Sequence, residues 1–360
     1  MFFRSSHAGV ERRVLLGTGL AALLPAPLLA GSAPRWDAIV SKSGRPGTVA
    51  TLGAAFDIVR PLARPARIFV ERGIYEEKPR LDVPDVHLEG EGAQSVISFG
   101  AAAGLLDPAG KKWGTGGSAT LTVVATGISI AGLTIRNSFD YLQDQITGAS
   151  GGAQAVALSL ARGSDRVTVC DCVIEGYQDT LYVQEGCRAS FSDCLISGNV
   201  DFIFGGATAL FDRCEIRSRF VPGAVVQGFV AAPSTPINVP VGFVFDRCRL
   251  TREAELPDGS VYLGRPWRAG GNMNLTGAAA YLDCWMDSHI HRDGWTSMGY
   301  RDPDGSRRDL TPQEARLFEY GSRGAGAGAA SDTRRQIEKG RVSSFRAQNI
   351  FGKWHPESSR

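Results

Sequence analysis

The sequence predicts an all-β solenoid, in which short parallel strands are wound into stacked coils. Three observations predict it. One strand phrase recurs: residues 167–174 (Val-Thr-Val-Cys-Asp-Cys-Val-Ile) align with 189–196 (Ala-Ser-Phe-Ser-Asp-Cys-Leu-Ile) and 209–216 (Ala-Leu-Phe-Asp-Arg-Cys-Glu-Ile). A period of roughly 20–25 residues of short strands is the mark of a solenoid, whose core grows along one axis. The composition agrees, with 44 Gly, 43% hydrophobic residues and few Met. Finally, two carboxylates, Asp179 and Asp201, each stand seven residues after a Cys of the phrase and 22 residues from one another. Stacked strands lie ~4.8 Å apart, so one coil of spacing sets these carboxylates side by side.

In chain order, Val49 to Leu62 has helical spacing at Leu52, Ala55, Phe56 and Val59 and is limited by Pro61. This segment is expected to cap the first coil, which would otherwise expose its core and strand edges. Strands follow at 68–70, 86–88, 96–99, 121–124 and 128–135, with Gly90 and Gly92 at a turn. Residues 138–153 are polar and Gly-rich and read as a surface loop. After the third phrase, 217–241 is a longer excursion with four Pro, and the phrase returns at 243–250 (Phe-Val-Phe-Asp-Arg-Cys-Arg-Leu). Ala278 to Trp285 is a later strand. Thr311 to Tyr320 reads as a helix with a capping box, because Glu314 follows Thr311 by three. The tail after residue 304 is expected to pack along the outside of the solenoid.

Residues 1–32 read as a cleaved export signal. Arg12-Arg13 precedes an apolar run from Val14 to Ala30, which suggests the twin-arginine route over an ordinary secretory signal. Pro25 and Pro27 interrupt a run already short for a membrane span. A single domain, 33–360, then remains, exported to the periplasm or secreted and not stably inserted in a membrane. The formal charge is +2, and Arg4, Glu11, Arg12 and Arg13 of the leader sum to +2, so the mature chain is near neutral. Nothing in that balance points to nucleic acid. Seven Cys in an exported chain permit disulfides. Cys194 and Cys214, one coil apart, are the candidate pair, the alternative being a stacked ladder of reduced thiols. Cys170-Asp171-Cys172 has no matching second pair, so no zinc site is expected.

Several familiar chemistries lack their residues. The five His (7, 87, 289, 291, 355) all lie away from the two aspartates in sequence, and a Ser–His–Asp site needs one beside its Ser. Gly148-Ala149-Ser150-Gly151-Gly152 matches G-x-S-x-G but lacks the strand before and helix after it. His289 and His291, with Asp287 and Asp293, are a weak metal candidate, and neither metal nor organic cofactor is expected. The two aspartates have more suggestive company. One coil before Gln178 stands Gln154, so successive coils present Gln154, then Gln178 with Asp179, then Asp201. Carboxylates in contact resist ionising together, and a cation beside one selects it as the anion. Arg265 is the candidate cation. The two amides are candidate donors to a developing oxyanion. Trp267 offers a flat apolar face to a sugar ring. On their own, Asp179 and Asp201 read first as a ladder of turn-capping residues, and the company of Gln154, Gln178, Arg265 and Trp267 reverses that reading.

These residues stand in motifs. The segments 73–77 (Gly-Ile-Tyr-Glu-Glu), 154–158 (Gln-Ala-Val-Ala-Leu), 177–182 (Tyr-Gln-Asp-Thr-Leu-Tyr), 200–205 (Val-Asp-Phe-Ile-Phe-Gly) and 263–267 (Leu-Gly-Arg-Pro-Trp) occur in an order that resembles the pectin methylesterase (pectinesterase) family of carbohydrate esterases. Residues 318–322 and 352–354 look familial too, so the resemblance covers roughly 36–356. It implies a right-handed parallel β-helix that hydrolyses methyl esters of pectin, releases methanol and needs no cofactor. It further implies Asp201 as nucleophile, Asp179 as acid and base, Gln154 and Gln178 as oxyanion hole, and Arg265 as the group orienting Asp201. Trp267, Phe202, Tyr182 and Met298 are implied to meet the substrate. The chain is expected to act as a monomer. It departs from the family at Gly324-Ala325-Gly326-Ala327, where Gly-Pro-Gly-Ala is usual, and the loops 138–153 and 221–241 are not family motifs. Two rival readings keep the fold: an acyl thioesterase or other acyl hydrolase of the same superfamily, and a silent polysaccharide-binding β-helix.

Overall fold

A computed structural model describes residues 36–356; the expected export signal, residues 1–32, lies outside them. The described strands form three large parallel sheets of ten, eight and seven strands, with one antiparallel pair, Met298–Arg301 with Arg307–Leu310, beside them. Seven coils each contribute one strand to each large sheet in turn, and the terminal coils contribute fewer. In the coil of Asp179 these are Val167–Cys170, Val173–Glu175 and Leu181–Val183. The architecture is therefore the parallel β-helix that the repeats predict.

The recurring phrase aligns in the register its sequence suggests: Val167 pairs with Ala189, Ala189 with Ala209, and Ala209 with Phe243. Between the first and second strands of successive coils, Gly132, Asp171, Asp193, Arg213, Arg247 and Asp283 all have φ between 52° and 59°. This left-handed conformation makes the corner. The residue after each corner points inward, which sets Leu133, Cys172, Cys194, Cys214, Cys248 and Cys284 into the core. Cys194, Cys214, Cys248 and Cys284 donate to carbonyls of the preceding coil, those of Val169, Phe191, Phe211 and Phe245, at 3.2–3.6 Å. None of the described cysteines forms a disulfide. Cys194 and Cys214 are thus two rungs of a reduced ladder and not the expected bridge, because each sulfur is occupied with packing and with a backbone carbonyl. Inside the same core run stacked rings, Phe191 on Phe211, Phe211 on Phe245 and Phe245 on Tyr281, with centroids 4.3–4.8 Å apart.

Helix α1 (Leu52–Val59) buries Leu52, Ala55, Phe56 and Val59 as the spacing predicts. Thr51 caps it by accepting from the Ala54 amide, and the Glu77 carboxylate accepts from the Leu52 amide at 2.9 Å. At the other end, Ile337, Phe345 and Phe351 of the tail cover Leu210, Val244, Ala280 and Leu282 on the outer face of the ten-stranded sheet. Arg334 anchors the tail through a fully buried ion pair with Glu319 at 2.7 Å.

Two expectations fail. Thr311 to Tyr320 is not a helix. The capping-box contact forms, Thr311 donating to Glu314 through its amide and hydroxyl, but it closes only a turn. Arg316–Tyr320 then runs as a strand paired with Ala278–Leu282, with Leu317 and Glu319 inward. The open edge of the last coil overrides the local helix signal. Conversely, the connections hold helices that the sequence hides. A short one, α2 (Gly114–Gly117), lies in the long connection before Leu121. The loop 138–153 contains α3 (Tyr141–Thr147), capped by the Asp140 carboxylate and closed by Gly148 at φ 61°.

Candidate active site

The site lies where the second strand of a coil turns into the third. Asp179 and Asp201 occupy equivalent places on adjacent coils: Leu181 pairs with Ile203, and the Asp179 amide donates to the Val200 carbonyl at 3.0 Å. Both have left-handed backbones, φ 65° and 50°, conformations that Asp tolerates better than most residues but that still cost free energy. Gly198 lets the two coils approach. A Cβ there would stand 2.3 Å from Phe202 Cβ and 2.6 Å from the Tyr177 carbonyl oxygen.

Arg265 reaches Asp201 with a two-pronged fork, Nε to Oδ1 at 2.9 Å and Nη2 to Oδ2 at 2.7 Å. Its backbone is fixed by donation to the Ala231 carbonyl, and its guanidinium lies 3.9 Å over the ring of Phe229. Asp179 and Asp201 are 8% and 9% exposed, so both are largely out of water. Burial pushes the Asp179 carboxyl well above the ordinary range, and the charge of Asp201 pushes it further. Burial also raises Asp201, but there the Arg265 fork opposes it. The pair is therefore asymmetric. The asymmetry favours the shared proton on Asp179 and the negative charge on Asp201.

Gln154 and Gln178 are half-buried on adjacent coils, the Ala155 amide donating to the Gln178 carbonyl. The strand register matches Leu158 to Leu181, so Val156 is level with Asp179 and Gln154 stands two residues before it. Trp267, Tyr182 and Met298 pack together on an apolar patch with Ala119, Val156, Phe204 and Ala232. Phe204 stacks on Tyr182 at 4.2 Å and touches Trp267 at 5.9 Å. Phe202, expected to meet substrate, is 0% exposed and belongs to the interior core. The strand register shifts between Val200 and Ile203, so Phe202 and Ile203 both turn inward and Phe204 takes the outer place. Phe204 was legible in the repeat, since it stands 22 residues after Tyr182. Phe229 carries no such signal. Tyr177 is held between Tyr141 of α3, stacked at 5.0 Å, and the Arg219 guanidinium at 3.8 Å, so the helix missed in the sequence walls the site.

The weaker candidates do not assemble. Ser150 bonds Asp144 through its hydroxyl at 2.8 Å and serves the end of α3. His289 is buried, which pushes its imidazole down to about 4, while His291 stacks on Tyr262 at 4.3 Å. Among the described residues no group of three His, Cys, Asp or Glu side chains could hold a metal ion.

The pectinesterase family model matches residues 37–338. The chain belongs to the pectinesterase family. It is accordingly a carboxylic ester hydrolase. Pectinesterase A of Dickeya dadantii (strain 3937) is 39% identical over 346 residues, 91% of this chain and 93% of that protein. The solved pectin methylesterase from Erwinia chrysanthemi superposes with a TM-score of 0.86 at 38% identity, over 91% of this chain and all of that one. A pectin methylesterase solved in complex with a hexasaccharide has the same TM-score, identity and coverage.

Proposed function

We propose that this pectinesterase removes methyl groups from methyl-esterified polygalacturonate and releases methanol through a covalent acyl-enzyme. The observation that carries the reading is the buried pair itself: two carboxyls on adjacent coils, one of them gripped by a bidentate Arg. Asp201 attacks the ester carbonyl. Gln154 and Gln178 donate to the resulting oxyanion. Asp179 gives its proton to the departing methanol, leaving Asp201 acylated as an anhydride. Asp179, now a carboxylate, takes a proton from water as that water attacks, which frees the uronate and restores Asp201 as the anion and Asp179 as the acid. Trp267, Tyr182 and Phe204 form an apolar platform on which sugar rings rest, and a relative that holds a hexasaccharide supports a polymer substrate.

The chain is further proposed to work as an exported monomer, the twin-arginine pattern of residues 1–32 supporting export. No described helix is long and apolar enough to cross a membrane. The test is methanol release from highly methylated pectin with EDTA present. Release that EDTA leaves intact supports the reading. Thiol release from an acyl thioester with no methanol from pectin would replace it with the thioesterase alternative.

A further inference from the structure

Gln178 and Asp179 stand in the connection between strands Val173–Glu175 and Leu181–Val183, where no sheet register holds them. Backbone bonds tie this connection to the next coil. The Gly176 amide donates to the Ser197 carbonyl at 3.2 Å, and the Asp179 amide to the Val200 carbonyl at 3.0 Å. The Thr180 hydroxyl closes the turn from within, donating to the Tyr177 carbonyl at 3.0 Å. What remains is the grip on the Tyr177 side chain, the residue just before the pair.

Arg219 makes that grip. It follows strand Glu215–Ser218, two coils beyond Tyr177, and its amide donates to the Gly198 carbonyl at 2.8 Å. Its side chain reaches back across the coil of Asp201. Nη1 donates to the Gly176 carbonyl at 3.0 Å and Nη2 to the Tyr177 hydroxyl oxygen at 3.0 Å. The guanidinium lies 3.8 Å from the centre of the Tyr177 ring. Nε donates to the Glu253 carboxylate at 3.2 Å, and Glu253 is itself fixed by accepting from the Phe220 amide at 2.8 Å. Tyr141 of α3, 4% exposed, stacks on the same Tyr177 ring with centroids 5.0 Å apart and planes 8° from parallel. All three nitrogens of Arg219 are thus engaged inside the protein. Unlike Arg265, it donates to neither aspartate.

We propose that Arg219, seated on Glu253, and Tyr141 are positioning residues for the reaction: together they clamp Tyr177 and so hold Gln178 and Asp179 in place against Asp201. The proposal rests on the catalytic reading given above. Gln178 and Asp179 follow Tyr177 directly in the chain, so a shift of Tyr177 displaces an oxyanion donor and the acid together. A misplacement of ~1 Å costs up to roughly a hundredfold in rate. The loop 138–153 then has a part in turnover through α3, which supplies the stacking ring.

The test combines kcat and KM for methanol release from methylated pectin with hydrogen–deuterium exchange of the segment 176–181. Arg219→Ala is expected to lower kcat roughly ten- to a hundredfold, with KM held within about twofold. Exchange at 176–181 should quicken while that at 243–250 stays as in the native chain. Arg219→Lys keeps a cation over the ring but loses the planar fork, and should recover part of the loss. Tyr141→Ala should lower kcat roughly three- to tenfold, the scale of one aromatic stack, and Tyr141→Phe should recover most of it. If Arg219→Ala does not fold, Arg219→Lys and Tyr141→Ala carry the same test. A rise in KM in place of the fall in kcat overturns the proposal, as does a fall in kcat with exchange at 176–181 unmoved, because Arg219 would then act on the substrate directly. If the native chain releases no methanol yet the variants loosen 176–181, the esterase reading fails and the clamp on the turn stands. If it releases methanol and the variants change neither kcat nor exchange, the clamp fails and the esterase reading stands.

Discussion

In the two coils that carry Asp179 and Asp201, two turns use the same backbone device to opposite ends. At the first corner, Asp171, Asp193, Arg213, Arg247 and Asp283 adopt positive φ at the surface. There Asp193 is met by Arg213 at 2.7 Å, with both side chains more than 40% exposed. At the second corner, Asp179 and Asp201 adopt positive φ out of water, and Asp201 is met by Arg265 at the same 2.7 Å. Geometry and residue type are shared; burial is not. In water an ion pair is worth little. Out of water it decides which of two carboxyls keeps the proton.

The largest way to break the comparison is to remove the charge at the buried corner. Asp201→Asn keeps shape and backbone preference and should lower kcat by roughly a thousandfold or more, the scale of losing a nucleophile. Methanol release from methylated pectin measures it. Substantial residual activity would assign the nucleophile elsewhere.

Replacing the fork is the next test. Arg265→Lys keeps a cation but loses the planar pair of donors. Asp201 then loses most of what opposes its burial, so its pKa rises and the acidic limb of the kcat–pH profile moves up. A loss in kcat of roughly ten- to a hundredfold should accompany the shift. A loss with an unmoved limb would make Arg265 a positioning group for substrate or fold. Trp267→Ala tests the platform beside the corner and should weaken substrate binding by about 1–3 kcal/mol. An unchanged KM would mean that Trp267 packs only on Phe204.

Asp179 supplies a stability counterpart. Its folded pKa lies above the unfolded value, so the stability it contributes is present below the unfolded pKa and lost as pH rises through the folded one. Asp179→Asn should therefore raise stability by about 1–2 kcal/mol at neutral or alkaline pH, and less in acid, while abolishing turnover. Thermal melts at two pH values check the sign. A melting temperature that falls equally at both would show that the Asp179 carboxyl is a structural partner and not a buried liability.

The sequence made the coil legible because the Cys phrase repeats with an inward residue after each left-handed corner. It also set Asp179 and Asp201 on neighbouring coils, since a 22-residue spacing is one turn of this chain. What it hid was whatever depends on neighbours far along the chain. Phe202 and Phe204 have the same residue type two positions apart, and only the register shift at 200–203 decides which one faces outward. The capping box at Thr311 is genuine, yet a strand edge from Ala278–Leu282 outcompetes it. Cys194 and Cys214 sit one coil apart, but spacing cannot distinguish a bond from a ladder.

The smallest expected effect falls at the exposed corner and completes the comparison. Asp193→Asn is the same substitution as Asp201→Asn, at the same kind of backbone. Asn tolerates the left-handed conformation as Asp does, so the corner should hold its shape. What is lost is an ion pair to Arg213 that water already screens. The change in stability should stay below about 1 kcal/mol, with kcat and its pH profile unmoved. Urea unfolding at low and high salt measures the first, and methanol release the second. If Asp193→Asn cost several times that amount, its charge would matter at the surface corner too. Burial would then not be what separates the two turns.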